Sequence, residues 1–326
     1  MTAPLRFGIL GAAGITPSAL IAPATENPEV ELYAVAARNR SRAEEYAAAH
    51  GIFRVHDTYE DLLADADVDA VYIPLPNSEH GRWTVAALDA GKHVLVEKAM
   101  GASLSEVQSI FAAAERTGVV AMEAMRNVHT PAHHLIRDTL PRLGTLRHAR
   151  FEKLQYSSRY DRFRAGEVMN AFDPTLGNSA LADIGVYCLQ PALDLFGAPR
   201  QTTGASLWLD NGFEAGGSLL LDYGTLVADL AYSKVASGLG PSVINGEDAS
   251  LVLDDPGELS RIVLHERGGA ETVLLDGPQV SPADTMVFEV LDFVDQVDAG
   301  LTDPRWRDLS LLARQVMDDQ LDRGAS

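Results

Sequence analysis

Apolar positions follow one rhythm in the first part of the chain and another in the second. From Leu5 to Met122, short apolar runs alternate with amphipathic helical stretches. The runs Leu5–Leu10, Val30–Ala36, Phe53–Val55, Asp69–Ile73, His93–Val96 and Val119–Met122 predict strands. Between them, helices are predicted from about Pro17 and over Ser41–His50, Thr58–Ala64, Ser78–Ala90 and Ser103–Thr117. Strands that alternate with helices build right-handed βαβ units, so this part reads as an α/β, doubly wound parallel sheet.

After a helix near Pro131–Leu140 the rhythm changes. A longer strand, Leu146–Gln155, leads into a polar, Arg-rich loop and then a helical pattern from Ser179 to Phe196. Consecutive strands with Gly and Asp-Gly turns fill Gln201–Leu275, among them Leu219–Asp222, Leu226–Tyr232 and Arg261–Glu266. Two helices, about Ala283–Ala299 and Arg305–Asp322, close the chain. The expected architecture is a Rossmann domain, 1–125, followed by an α+β domain, 126–326, with a large, mainly antiparallel, open-faced sheet. The C-terminal helix is a candidate to pack back on the first domain.

Composition narrows the function. The chain of 326 residues carries 46 acidic and 26 basic side chains, a formal charge of −20, so neither nucleic acid nor an anionic membrane is the expected partner. No apolar run approaches the ~20 residues of a membrane span. The first ten residues carry one cation and no apolar stretch of signal-peptide length, and Cys188 is the single cysteine, so a reduced, cytoplasmic setting is expected. Only four of the cations are lysine, which reads as compositional bias without functional weight.

Chemistry concentrates at strand ends. The first strand runs into Gly11-Ala12-Ala13-Gly14-Ile15-Thr16-Pro17, a Gly-rich turn before a helix, where a dinucleotide pyrophosphate is bound. The match to G-x-G-x-x-G is imperfect, with Ala13 at the second glycine and Thr16 at the third. The second strand ends in Arg38-Asn39-Arg40-Ser41-Arg42, with no acid until Glu44. An NAD site ordinarily places an acid there for the ribose hydroxyls. Three guanidinium groups instead point to the 2′-phosphate of NADP, in preference to NAD.

Two further stretches carry a recognisable pattern. One is Pro74-Leu75-Pro76-Asn77-Ser78-Glu79-His80 with Gly91-Lys92-His93-Val94-Leu95-Val96-Glu97-Lys98. The other is Gly177-Asn178-Ser179-Ala180-Leu181-Ala182-Asp183-Ile184-Gly185-Val186-Tyr187. Together with the Gly11 turn, they resemble the glucose-fructose oxidoreductase/inositol dehydrogenase/MocA (Gfo/Idh/MocA) family, most of all its dimeric dihydrodiol dehydrogenase-like branch. The resemblance implies that Lys98 sits beside the nicotinamide and that Pro74 to Asn77, His80 and Glu97 line the cofactor. It also implies that Asp183 contacts substrate and that Tyr187 is the proton donor. Ala99 stands where the family signature has proline, so the backbone after Lys98 is expected to be less constrained.

The residues support this chemistry without the family. Lys98 ends a strand on the ligand-binding edge of a doubly wound sheet. Asp183 and Tyr187, four apart in a helical pattern, share one face. Lys98 is expected to orient a substrate oxygen, Tyr187 to act as general acid in reduction and base in oxidation, and Asp183 to bind a second hydroxyl or hold Lys98. Each also has a bland reading, as core tyrosine, first-turn acid or strand-end cation. His129, His133 and His134 lack a clear carboxylate partner, so no metal is expected. The function expected is an NADP-dependent oxidoreductase acting on a hydroxyl or carbonyl of a sugar, polyol or cyclic diol. The alternatives are an NAD(P)-retaining glycoside hydrolase and a non-catalytic dinucleotide sensor. An open sheet face needs a cover, which predicts a homodimer, with a tetramer as the alternative.

Overall fold

The computed structural model describes residues 4–324; the remaining terminal residues, which the expected domain ranges include, lie outside the described residues. The chain divides into two compact units, residues 1–126 with 282–311, and residues 127–281 with 312–326.

The first unit is built on six parallel strands: β1 (Leu5–Leu10), β2 (Val30–Ala36), β3 (Arg54–His56), β4 (Ala70–Ile73), β5 (His93–Glu97) and β6 (Ala121–Ala124). Their order is β3-β2-β1-β4-β5-β6. The chain reverses its winding between β1 and β4, and that switch point places a crevice beyond the strands' C-terminal ends. Parallel strands are covered on both faces, as their near-continuous apolar runs require. On one face Val71, Ile73, Val94 and Val96 pack with Trp83, Ile110 and Phe111. On the other, Phe7, Ile9, Tyr72 and Leu95 pack with Met286, Val290 and Phe293 of the helix Pro282–Ala299.

The second unit holds eight strands: β7 (Leu146–Leu154), β8 (Gln201–Trp208), β9 (Glu214–Asp222), β10 (Val227–Ser233), β11 (Ser242–Gly246), β12 (Ala249–Leu253), β13 (Arg261–Glu266) and β14 (Glu271–Asp276). Their order is β14-β13-β12-β11-β7-β10-β9-β8, antiparallel throughout except for the parallel pair β7 and β10. One face is buried through Leu219, Leu221, Leu230, Ile244, Leu251 and Leu264. The strand registers carry Leu220 to Asp229, Asp229 to Arg150, Arg150 to Val243, and on through Val252 and Val263 to Val273, so all of these share the opposite face. Leu207, Leu220, Val227 and Val273 are exposed there.

Several expected elements differ in detail, among them the helix expected from about Pro17, which is π-helical over Pro17–Ile21 and α-helical only from Ala22. The Arg-rich stretch read as loop contains a short helix, Tyr160–Arg164. The helical pattern from Ser179 to Phe196 is π-helical over Leu181–Gly185 and becomes an α-helix only at Val186. Close packing accompanies that change: a Cβ on Gly185 would lie 2.8 Å from Tyr232 Cγ and 2.9 Å from Leu181 Cδ1. A segment of π-helix is a common device for aiming side chains at functional sites.

Candidate active site

At the C-terminal edge of the first unit's sheet, Gly11 turns the chain out of β1 at φ +110°, a conformation that favours glycine. Its amide donates to Ala36 O at 2.7 Å, locking the turn against the end of β2. At Gly14 no atom lies within 4 Å of where a Cβ would stand, so the backbone of the turn faces open ground. Beside it, a cavity of about 360 Å³ is lined by Arg38 and Arg82, by the rings of Tyr59 and Trp83, and by three carboxylates, Asp57, Glu60 and Glu79. The Tyr59 and Trp83 rings meet edge to face at 4.9 Å, and the Arg82 guanidinium lies 4.8 Å above Trp83. An exposed glycine turn next to an aromatic cavity with two guanidinium groups fits a dinucleotide: open backbone for the pyrophosphate, flat rings for a base.

The three arginines of the β2 end are not equivalent in their partners. Arg40 pairs with Glu44 at 2.8 Å and with Asp57. Arg42 donates to Ala12 O at 2.6 Å, tying the following helix to the glycine turn. Asn39 caps that helix, its side chain accepting from the Arg42 amide at 3.1 Å. Arg38 alone of the three lines the cavity. Asp57, Arg82 and Trp83 escaped the sequence reading, because only the fold brings them beside Arg38.

Lys98 follows β5 at the same edge and is half-buried. The Lys98–Ala99 peptide is cis. The backbone after Lys98 is held by polar contacts. Ala99 O lies 2.8 Å from His80 Nδ1, and the Met100 amide donates to Glu123 Oε1 at 2.8 Å. Ala99 itself is buried. His80 is buried as well, its Nε2 at 2.8 Å from Leu75 O, so the imidazole bridges the Pro74–Asn77 loop and the residue after Lys98. Its side chain thereby clamps two backbone segments of the edge. Burial depresses the imidazole's pKa, against the pull of the two carbonyls.

Beneath Lys98 lies a polar layer that the sequence did not reveal. Glu97 Oε1 accepts from the Tyr72 hydroxyl at 2.5 Å. Burial pushes the carboxyl of Glu97 up, and burial together with Glu97 pushes Glu289 well up. Arg126 opposes both shifts and donates to Thr285 Oγ1 at 2.9 Å.

In the second unit, Asp183 and Tyr187 stand out by exposure. From Ser179 to Leu193 every residue is buried except these two. Each has a buried ammonium behind it. Lys234 Nζ lies 2.7 Å from Asp183 Oδ2. Lys153 Nζ lies 5.9 Å from the Tyr187 ring centroid and pairs with Asp255 at 2.6 Å and Glu258 at 2.5 Å. The Tyr187 carbonyl accepts from Asn127 Nδ2 at 3.3 Å, and the same amide group donates to Pro256 O at 2.9 Å. Glu214, at the start of β9, accepts from the Leu181 amide at 2.9 Å. Burial pushes its carboxyl up to about 7, opposed by that amide, by the Tyr232 hydroxyl and by the charge of Lys234. Cys188 is buried in the same helix, which raises its thiol and leaves it a small apolar side chain.

Reading the scarcity of lysine as bias alone was therefore incomplete. Of the four, Lys92, Lys153 and Lys234 are buried with fixed oxygen partners; the Lys92 ammonium donates to Asp65 O at 2.6 Å and Val68 O at 2.8 Å.

Comparison with known proteins agrees with this geometry. The profile of the GFO_IDH_MocA oxidoreductase family, NAD-binding Rossmann fold, matches residues 5–125. A scyllo-inositol 2-dehydrogenase (NADP(+)) of Bacillus subtilis is 37% identical over 89% of this chain and 87% of its own length. A mouse trans-1,2-dihydrobenzene-1,2-diol dehydrogenase is 32% identical over 67% of this chain and 65% of its own. Among solved structures, a 3-ketoreductase from Actinomadura kijaniata, in complex with NADP and TDP-benzene, superposes with a TM-score of 0.85 at 25% identity, covering 97% of each chain. Among the described residues no helix is long and apolar enough to cross a membrane. With the parallel sheet, the glycine turn and the Lys98 edge in place, the chain belongs to the Gfo/Idh/MocA family of oxidoreductases with an NAD-binding Rossmann fold.

Proposed function

We propose that the protein is an NADP-dependent oxidoreductase that exchanges hydride between the nicotinamide and a hydroxyl or carbonyl of a sugar, polyol or cyclic diol. The observation that carries the reading is the Ser179–Leu193 segment, which buries everything except a carboxylate and a phenol. Both are half-exposed, so an otherwise buried segment presents one acceptor and one hydroxyl where a ligand can reach them. Gly11 to Ile15 would hold the pyrophosphate, with the Tyr59 and Trp83 rings facing the base and Arg38 the 2′-phosphate. When bound, NADP supplies or accepts the hydride. The Tyr187 hydroxyl gives a proton to the substrate oxygen in reduction and takes it back in oxidation. Asp183 accepts a hydrogen bond from a neighbouring hydroxyl, which suits a polyhydroxylated ring, and Lys98 orients the reacting oxygen. The scyllo-inositol dehydrogenase at 37% identity supports a polyol as substrate.

The apolar residues on the open sheet face support a homodimer formed through that face: Leu207 is 54% exposed and Val273 49%. A monomer by light scattering would remove this part of the reading.

The test is NADPH formation with scyllo-inositol, D-xylose and trans-dihydrobenzenediol. Lys98→Met and Tyr187→Phe should each abolish turnover while NADPH still binds. Full activity in both variants would sink the assignment.

A further inference from the structure

Lys234 follows β10 directly, its amide donating to Ala215 O at 2.9 Å. The residue is 4% exposed. Its ammonium meets Asp183 Oδ2 at 2.7 Å, donates to Ala171 O at 3.0 Å, and lies 5.1 Å from the Phe172 ring and 5.5 Å from the Phe213 ring. The aromatic rings belong to an apolar cluster, Phe172, Phe213 and Ala215, that an uncharged side chain could complete equally well. Burying an ammonium is costly, and a well-packed apolar replacement of a buried ion pair is often neutral or stabilising. The arrangement is also asymmetric. The cation is sealed in, whereas the Asp183 side chain keeps 42% of its surface exposed. A surface carboxylate would swing among rotamers; this one is tethered from behind by a rigidly boxed charge.

We infer that Lys234 is a positioning residue, which fixes the Asp183 carboxylate in one orientation so that it meets a substrate hydroxyl in a single geometry. The inference rests on the reading that Asp183 contacts substrate. Lys234 itself is behind the carboxylate, boxed by Ala171, Phe172 and Phe213, and acts through it. The consequence is specificity: a ring with a hydroxyl at the matching position gains a hydrogen bond to an already oriented carboxylate, and one without it does not.

Two measurements on the full chain decide it. With lysine labelled by 13C at Cε, the chain's four lysines are the only labelled side chains, and the signal missing in Lys234→Arg is that of Lys234. Asp183→Asn should move the Lys234 signal and leave those of Lys92 and Lys153 in place. In steady-state oxidation of scyllo-inositol by NADP, Lys234→Met should raise KM about tenfold or more, the worth of one charge-assisted contact. NADPH affinity should stay unchanged, which also reports that the variant is folded. Lys234→Arg should recover part of the loss. Wild-type KM in Lys234→Met, or a Lys234 signal indifferent to Asp183→Asn, would overturn the inference. If the native protein does not oxidise scyllo-inositol, the functional reading fails for that polyol, and the labelled spectra alone decide the tether.

Discussion

Glu214 offers the sharpest quantitative test of the second unit's electrostatics. It is 1% exposed, and its carboxyl titrates at about 7, against 4.5 for an ordinary glutamate, chiefly because burial disfavours the charged form. A raised pKa means that the folded chain binds the proton more tightly than the unfolded chain. The stabilisation is thus fully present below pH 4.5 and is lost as pH rises through 7. The rise from 4.5 to about 7 corresponds to roughly 3 kcal/mol, of which about 2.5 kcal/mol falls between pH 5 and pH 8. Glu214→Gln keeps the shape and the acceptor for the Leu181 amide but cannot ionise. Other titrating groups, such as Glu97 and Glu289, cancel when the variant is compared with the native chain at each pH. For a unit of this size, ~2.5 kcal/mol corresponds to about 5–10 °C in Tm. Melting curves between pH 5 and pH 8, followed by a probe in the second unit, should show the variant gaining on the native protein by that amount as pH rises. A difference in Tm that stays flat with pH, or that changes in the opposite sense, would refute the account of Glu214 as a buried, proton-holding acid.

Three further outcomes are expected. Lys153→Met leaves Asp255 and Glu258 facing each other without their cation, which should destabilise the second unit by about 1–3 kcal/mol, read as a lower urea midpoint. Gly185→Ala places a Cβ 2.8 Å from the Tyr232 ring, and the overpacking should cost ~1–3 kcal/mol and lower turnover by displacing Asp183 and Tyr187. Arg38→Ala should weaken NADP binding about tenfold while leaving NAD binding nearly unchanged, since a charge-assisted contact to phosphate contributes ~1.5–3 kcal/mol. Equal losses for the two cofactors by fluorescence titration would assign Arg38 to the shared part of the dinucleotide.

Most of the architecture was readable because its signals are local. β1, β2, β4 and β5 announce themselves as apolar runs, and Ser103 and Thr58 mark helix starts by capping the amides of Glu106 and Asp61. The glycine turn and the Lys98 strand end were readable because each depends on adjacent residues. The partner of Arg40 was not legible because Asp57 lies 17 positions away on another strand's exit. The π-helical turn at Leu181–Gly185 was read as plain helix, since a periodicity of 3.6 and one slightly wider differ little over five residues.

What the amino-acid order determined by itself is the alternation of strands and helices, the change to a largely antiparallel sheet, and the glycine turn after β1; it also named Lys98, Asp183 and Tyr187 as the candidates on which the proposed function rests. What only the tertiary structure decided is their surroundings. Lys153 meets Asp255 across 102 positions of sequence, and Lys234, just after β10, meets Asp183 in the π-helical turn packed against that strand. Glu97 finds Tyr72, and Arg126 finds Thr285, in the same way. The physical reason is that secondary structure follows from interactions a few residues apart, which a pattern records. The energy of a buried charge depends instead on which distant groups the packed core brings within about 3 Å of it, where low dielectric makes each partner count.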